Sequence, residues 1–224
     1  MVPVITMSGS VQFVAKEEVF IPNDLQLKKS FTEATGEPLF VWFPQNGLAS
    51  LSTTKLHEIY KSLGVRKISE FVQLSYDLSD CKLEKMDLKN DLIGKALIKI
   101  LLGFLAFMPV EERHKTAKFL LEPSVLGTEK PIAVSYGLQL PSRKKRLNVE
   151  IIRMVLWEKN SQRLLVHKRS WKDGQKNMEF VANFSRAISE AILPNNSDLV
   201  DNLCKIIQMG FALGLKNMQW TTCW

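Results

Sequence analysis

Asp91-Leu-Ile-Gly-Lys-Ala-Leu-Ile-Lys-Ile-Leu-Leu-Gly-Phe-Leu-Ala-Phe-Met108 is the longest apolar run of the chain, and Pro109 closes it. At about 3.6 residues per turn, Ile93, Leu97, Ile100, Leu101, Phe104, Leu105 and Met108 fall on one broad, bulky face. Lys95, Lys99, Gly103 and Ala106 make a narrow opposite stripe. A helix this apolar must be enclosed, so the sequence predicts helices packed around a central apolar helix at about residues 91–108. The run approaches the roughly 20 residues that cross a bilayer. Lys99 argues against a span, because a lysine near the centre costs about 2.5–3.5 kcal/mol on insertion, and only Lys95 lies close enough to an end to snorkel. The run reads as a core helix, and a membrane partner is not expected.

Working outward, Pro109-Val-Glu-Glu112 opens a second helix, since proline and acids both suit a first turn. It ends before Pro123, so residues 91–122 form an αα-hairpin. Upstream, residues 76–90 alternate charges without a period and read as a loop. Residues 1–75 form an N-terminal α/β segment: a strand over Ser10–Ala15 continuing into Val19–Ile21, a helix capped within Pro22–Asp24 and running through Phe31, and a buried strand at Leu39–Phe43. Thr54 then caps a helix bearing Leu56, Ile59, Tyr60 and Leu63, with Gly64 placed for a left-handed C-cap. Ile68, Phe71 and Val72 add a further helical turn.

Downstream, the period falls to two. Ile132, Val134, Tyr136, Leu138 and Leu140 share one face of a half-buried strand. A basic turn at 141–146, a long strand from Leu147 to Trp157 and a last strand at Arg163–His167 complete an antiparallel β-meander at about residues 131–168, within a segment 123–170. A helix pair occupies 171–215, the first with Phe180, Phe184, Ala187 and Ala191 on one face, the second capped by Ser197 or Asp198. Residues 216–224 form an atypical tail without a period. Helices gathered around an antiparallel meander make the fold class α+β, as one domain or as part of a larger one.

Chemistry is harder to find. Cys81, Cys204 and Cys223 are odd in number and widely spaced, which argues against a disulfide framework or a zinc site. His57, His114 and His167 have no acid or cysteine at ligand spacing, and Glu17-Glu18 and Glu111-Glu112 point apart on any regular element. Nucleophile elbows and glycine-rich phosphate cradles are missing too. The chain is therefore not expected to be an enzyme or to hold a cofactor or metal. No basic leader precedes an apolar stretch at the N-terminus.

Charge is the informative property. The net charge is +7, yet between Arg143 and Lys176 eleven lysines and arginines face three acids, so one segment carries the whole excess. Arg143, Lys144, Lys145 and Arg146 form the kind of basic cluster that nuclear import factors bind. Lys168, Arg169 and Lys172, with Lys176 and the interleaved Trp171, extend it toward a phosphate-contacting surface, so nucleic acid is a candidate partner. A solvated turn is the plainer alternative.

Several strings, taken together and in order, resemble the plant NO VEIN-like proteins, large chains related to the histidine kinase, DNA gyrase B and heat-shock-protein-90 (GHKL) ATPases. They are Val19-Phe-Ile-Pro-Asn-Asp-Leu-Gln-Leu-Lys28, Pro38-Leu-Phe-Val-Trp-Phe-Pro44 and Lys55-Leu-His-Glu-Ile-Tyr-Lys-Ser-Leu-Gly-Val-Arg-Lys-Ile-Ser-Glu70. Leu92–Lys99, Leu102–Ala106, Ile132–Tyr136 and Phe184–Glu190 follow, so the resemblance runs from about residue 11 to about residue 213. It implies a region downstream of the ATPase domain, acting through protein partners or neighbouring segments of the same long chain. The Glu- and Asn-bearing helix and the Asp-x-Gly-x-Gly loop of that superfamily do not occur, so ATP binding is not carried over to any residue. A nuclear location and a link to developmental patterning are further implications, with the cytoplasm as the alternative. Beyond Leu213 the family continues in an acidic helical stretch where this chain has Asn217–Trp224, so the resemblance also implies a truncated product.

Overall fold

The computed structural model describes residues 1–6, 8–36, 39–44, 52–79, 81–86, 95–108, 113, 124–141, 146–168, 178–193 and 196–213. Two compact units emerge, each built from separate stretches: Met1–Asp77 with Ala133–Ile151, and Leu78–Ile132 with Ile152–Trp224. Helices and largely antiparallel sheets are both present, so the class is α+β.

In the first unit, β1 (Val2–Ile5) and β2 (Val11–Val14) pair antiparallel. Gly9, with φ of 81°, makes their turn possible, because L side chains rarely adopt that backbone. Val2 and Val4 point inward while Ile5 points out, the alternation a half-buried strand imposes. The expected continuation at Val19–Ile21 is separated from β2 by a 3-10 turn at Lys16–Glu18. It appears as β3 (Phe20–Ile21), paired parallel with β4 (Arg66–Lys67). The buried stretch around Leu39–Val41 makes single bridges instead of a ladder, Val4 to Val41 and Phe20 to Phe40.

Helix α1 (Leu25–Thr35) starts at Asp24, whose carboxylate accepts from the N–H groups of Gln26 (2.9 Å) and Leu27 (3.0 Å). It runs a turn beyond Phe31 to Gly36, whose φ of 64° ends it. Helix α2 (Thr53–Ser62) is capped by Ser52 rather than Thr54, and Gly64 takes the expected left-handed conformation at φ 85°. Val2, Val4, Val19, Ile21, Val41, Tyr60 and Val65 form one core of this unit. Tyr60 donates its hydroxyl to the Trp42 carbonyl at 2.7 Å, and burial pushes its pKa up. Short helix α3 (Ile68–Phe71) places Phe71 against Phe20, with Arg66 over its ring at 3.7 Å. A separate sheet has the order β5 (Gln73–Tyr76), β8 (Ile132–Leu138), β9 (Leu147–Arg153).

The second unit contains a four-stranded sheet in the order β10 (Val155–Glu158), β11 (Arg163–His167), β7 (Ser124–Thr128), β6 (Leu83–Lys85). Only the β11–β7 pairing is parallel. Two strands thus occur within or beside the segment read as a loop, Gln73–Tyr76 at its start and Leu83–Lys85 inside it. The three strands of the expected meander are shared between two sheets, because the run Leu147–Trp157 breaks at Met154. The Met154 N–H turns to the Asn183 side chain at 3.2 Å, and its carbonyl accepts from the His167 N–H at 2.8 Å.

Helices α4 (Lys95–Leu105), α5 (Met178–Ile192) and α6 (Ser197–Ala212) cover this sheet's core. Asn196, one residue before the expected cap, accepts from the Leu199 N–H at 3.1 Å. The expectation of an enclosed helix at 91–108 needs correction. Leu97, Leu101, Leu105 and Met108 are buried, but Leu102 is 53% and Phe107 93% exposed. The enclosed helix is α5, buried at ten of its positions from Phe180 to Ile192. Its alanines and serines let neighbours approach on several sides, whereas α4 presents a single face to the core. Arg113 donates to the carbonyls of Met108 (2.6 Å) and Ala106 (2.8 Å), closing the end of α4. Residues 91–94 and, Arg113 apart, the expected second helix of the hairpin at 109–122 lie outside the described residues. Among the described residues no helix is long and apolar enough to cross a membrane.

Candidate basic surface

The β-structure presents two members of the predicted basic cluster, one in each unit. Arg143, Lys144, Lys145, Arg169 and Lys172 lie outside the described residues, as do Lys176 and Trp171. Arg146 precedes β9 in the first unit, and Lys168 follows β11 in the second.

Lys168 is already engaged. Its side chain crosses the central strand β7 at Gly127, where an added Cβ would meet Lys168 Cε at 2.7 Å and Met86 Sδ at 2.8 Å. On the far side it pairs with Glu84 of β6, and Lys82 adds a weaker contact to the same carboxylate at 3.6 Å. The hydrogen bond and charge of Lys168, with help from Lys82, hold the Glu84 carboxyl below its ordinary range. A depressed acid of this kind contributes its pairing fully above the ordinary carboxylate range. The contribution is lost as pH falls through the lowered folded value. A side-chain carbonyl titration by NMR is expected to place Glu84 below the protein's freely solvated glutamates. Lys168→Ala should return it upward, and an unchanged Glu84 midpoint would show that Lys168 is elsewhere.

Arg146 is different. It is exposed, and among the described residues no hydrogen bond or ion pair engages its guanidinium. The group lies on the backbone of Gly137 in β8, in the space where a side chain would stand. Sequence reasoning singled out neither Gly137 nor Gly127. The signal was present, since a glycine inside a strand pattern marks a close approach by another group.

The other sequence candidates have defined packing or hydrogen-bond contacts. His57 packs against Phe43 with ring centroids 4.8 Å apart. The buried His167 places Nε2 3.1 Å from the Glu129 carbonyl oxygen. Gln208 donates to the buried Cys204 sulfur at 3.4 Å. His114 and Cys223 lie outside the described residues. Among the described residues no group of three or more histidines, cysteines or acids is placed to hold a metal ion. No protein-family model, curated protein or solved structure matches this chain.

Proposed function

We propose that this chain is a non-catalytic interaction region of a NO VEIN-like, GHKL ATPase-related nuclear protein, with that family's link to developmental patterning. The ordered set of strings between about residues 11 and 213 carries the reading. Exposed apolar side chains on two packed helices support a protein partner or an adjoining segment of a longer chain: Leu102 on α4, with Phe107 just past its end, and Met209 on α6, with Leu213 at its cap. Burying such side chains returns about 25 cal/mol per Å² removed from water, which favours contact with another apolar surface. The full chain fused to a reporter too large for passive diffusion is expected to accumulate in plant nuclei. Replacing Arg143, Lys144, Lys145 and Arg146 by alanine should leave it in the cytoplasm. Exclusion of the unaltered fusion from nuclei would overturn the nuclear reading.

A second reading is a basic nucleic-acid-binding module acting through residues 143–176, and one observation favours it. The Arg146 guanidinium lies against the sheet with no hydrogen-bond or ion-pair partner among the described residues, whereas Lys168 is neutralised by Glu84. Backbone phosphates suit such a cation, and each contact adds a salt-dependent increment of affinity.

A further inference from the structure

Gly137 sits in β8 opposite Gln73 of β5. A Cβ built there would fall among Nε, Cζ and one terminal nitrogen of Arg146, so the guanidinium itself fills the missing side chain's place. Other arginines of the described residues are committed. Arg113 donates to two carbonyls, Arg163 pairs with Glu158, Arg186 pairs with Asp201 at 2.9 Å, Arg66 covers the Phe71 ring, and Arg153 is buried with contacts of its own. Arg146 combines a seat on a strand glycine with the lack of any hydrogen-bond or ion-pair partner among the described residues.

We propose that Gly137 is a positioning residue that seats Arg146 for a two-pronged contact with a nucleic-acid backbone phosphate. The proposal rests on the nucleic-acid reading given above. A planar guanidinium offers paired N–H donors that match two oxygens of a phosphate, and a lysine does not. Seating the plane beforehand reduces the side-chain freedom lost on binding. An import receptor is the poorer occupant of this site. Such receptors read an extended basic peptide, so Arg146 would first have to be lifted from its own sheet.

The test is fluorescence anisotropy of a labelled random-sequence duplex DNA with the full chain, repeated across a salt series. Arg146→Ala is expected to weaken binding and to reduce the slope of log affinity against log salt by about 0.9, the share of one phosphate. Gly137→Ala should weaken binding while keeping the slope, because its methyl group displaces the guanidinium without removing its charge. Arg146→Lys keeps the charge and so the slope, but binds less tightly. In an Arg146→Ala background, Gly137→Ala should add no further loss, which separates loss of the seat from damage to the sheet. Unchanged binding by Gly137→Ala, or an equal loss in both backgrounds, would overturn the positioning role while leaving the nucleic-acid reading intact. Absence of salt-dependent binding by the unaltered chain would overturn both, and the basic cluster would then belong to a protein partner.

Discussion

Phe184→Ala is expected to destabilise the second unit by about 3–5 kcal/mol, the usual range for removing a fully buried phenylalanine ring. Phe184 has no exposed surface. It stacks on Phe180 with centroids 5.9 Å apart, and meets Phe211 of α6 edge-on at 5.8 Å. The ring therefore joins two turns of α5 to the neighbouring helix, and its loss removes both the transfer energy and two aromatic contacts. Each such contact contributes about 0.5–1.5 kcal/mol beyond area alone. Since whole domains are stable by only about 5–15 kcal/mol, the change would consume a large part of the margin. Urea unfolding followed by far-ultraviolet circular dichroism reads the shift. Phe107→Ala is the internal control: that ring is 93% exposed, so its removal should stay within about 0.5 kcal/mol of the unaltered chain. Equal effects at the two positions would mean that α5 is not the enclosed helix.

That contrast also shows where the sequence was legible. Helical faces are local patterns, repeating every three or four residues, so the buried face of α5 at Phe180, Phe184, Ala187 and Ala191 was readable. The same held for the exposed Lys99 and Gly103 of α4 and Ala106 just past its end. What could not be read was which apolar helix the others enclose. Composition favoured Leu92–Met108, because leucine and isoleucine outweigh alanine and serine in any hydropathy count. Enclosure depends instead on how closely neighbours can approach, and there the small residues of α5 win. Strand pairing was less legible again. Ser124-Val-Leu-Gly-Thr128 carries little alternation, and its ladder exists because β11, far downstream, lies parallel beside it.

The candidate site divides along the same line. Its excess of positive charge is a property of composition and was visible. The state of each cation is a property of contacts: Lys168 is neutralised by Glu84, 84 residues away in sequence, while Arg146 depends on a missing side chain at Gly137. Neither distance leaves a periodic trace.

The residue just before Phe184 is a different kind of support. Asn183→Ala is expected to cost about 1–3 kcal/mol, the penalty for leaving a buried polar group without its partner. Asn183 is only 4% exposed; its oxygen accepts from the Met154 N–H at 3.2 Å, and its nitrogen donates to the Glu179 carbonyl at 3.0 Å. Alanine gains up to about 0.7 kcal/mol of helix propensity over asparagine, which is too little to offset the loss. The damage should be local as well as global. Hydrogen exchange at the Met154 amide is expected to accelerate more than exchange within α5, because that amide has lost its acceptor at the break between β9 and β10. Asn183→Asp provides a sign test. It keeps an acceptor for Met154 but sets a buried carboxylate against the Glu179 carbonyl oxygen, and burial would raise its pKa. The variant should therefore be least stable above its raised folded pKa and recover as pH falls and the acid protonates. If Met154 exchange were unchanged in Asn183→Ala, the strand break would have to be held by the His167 side alone. The long apolar run Leu147–Trp157 would then divide between two sheets without help from the helix.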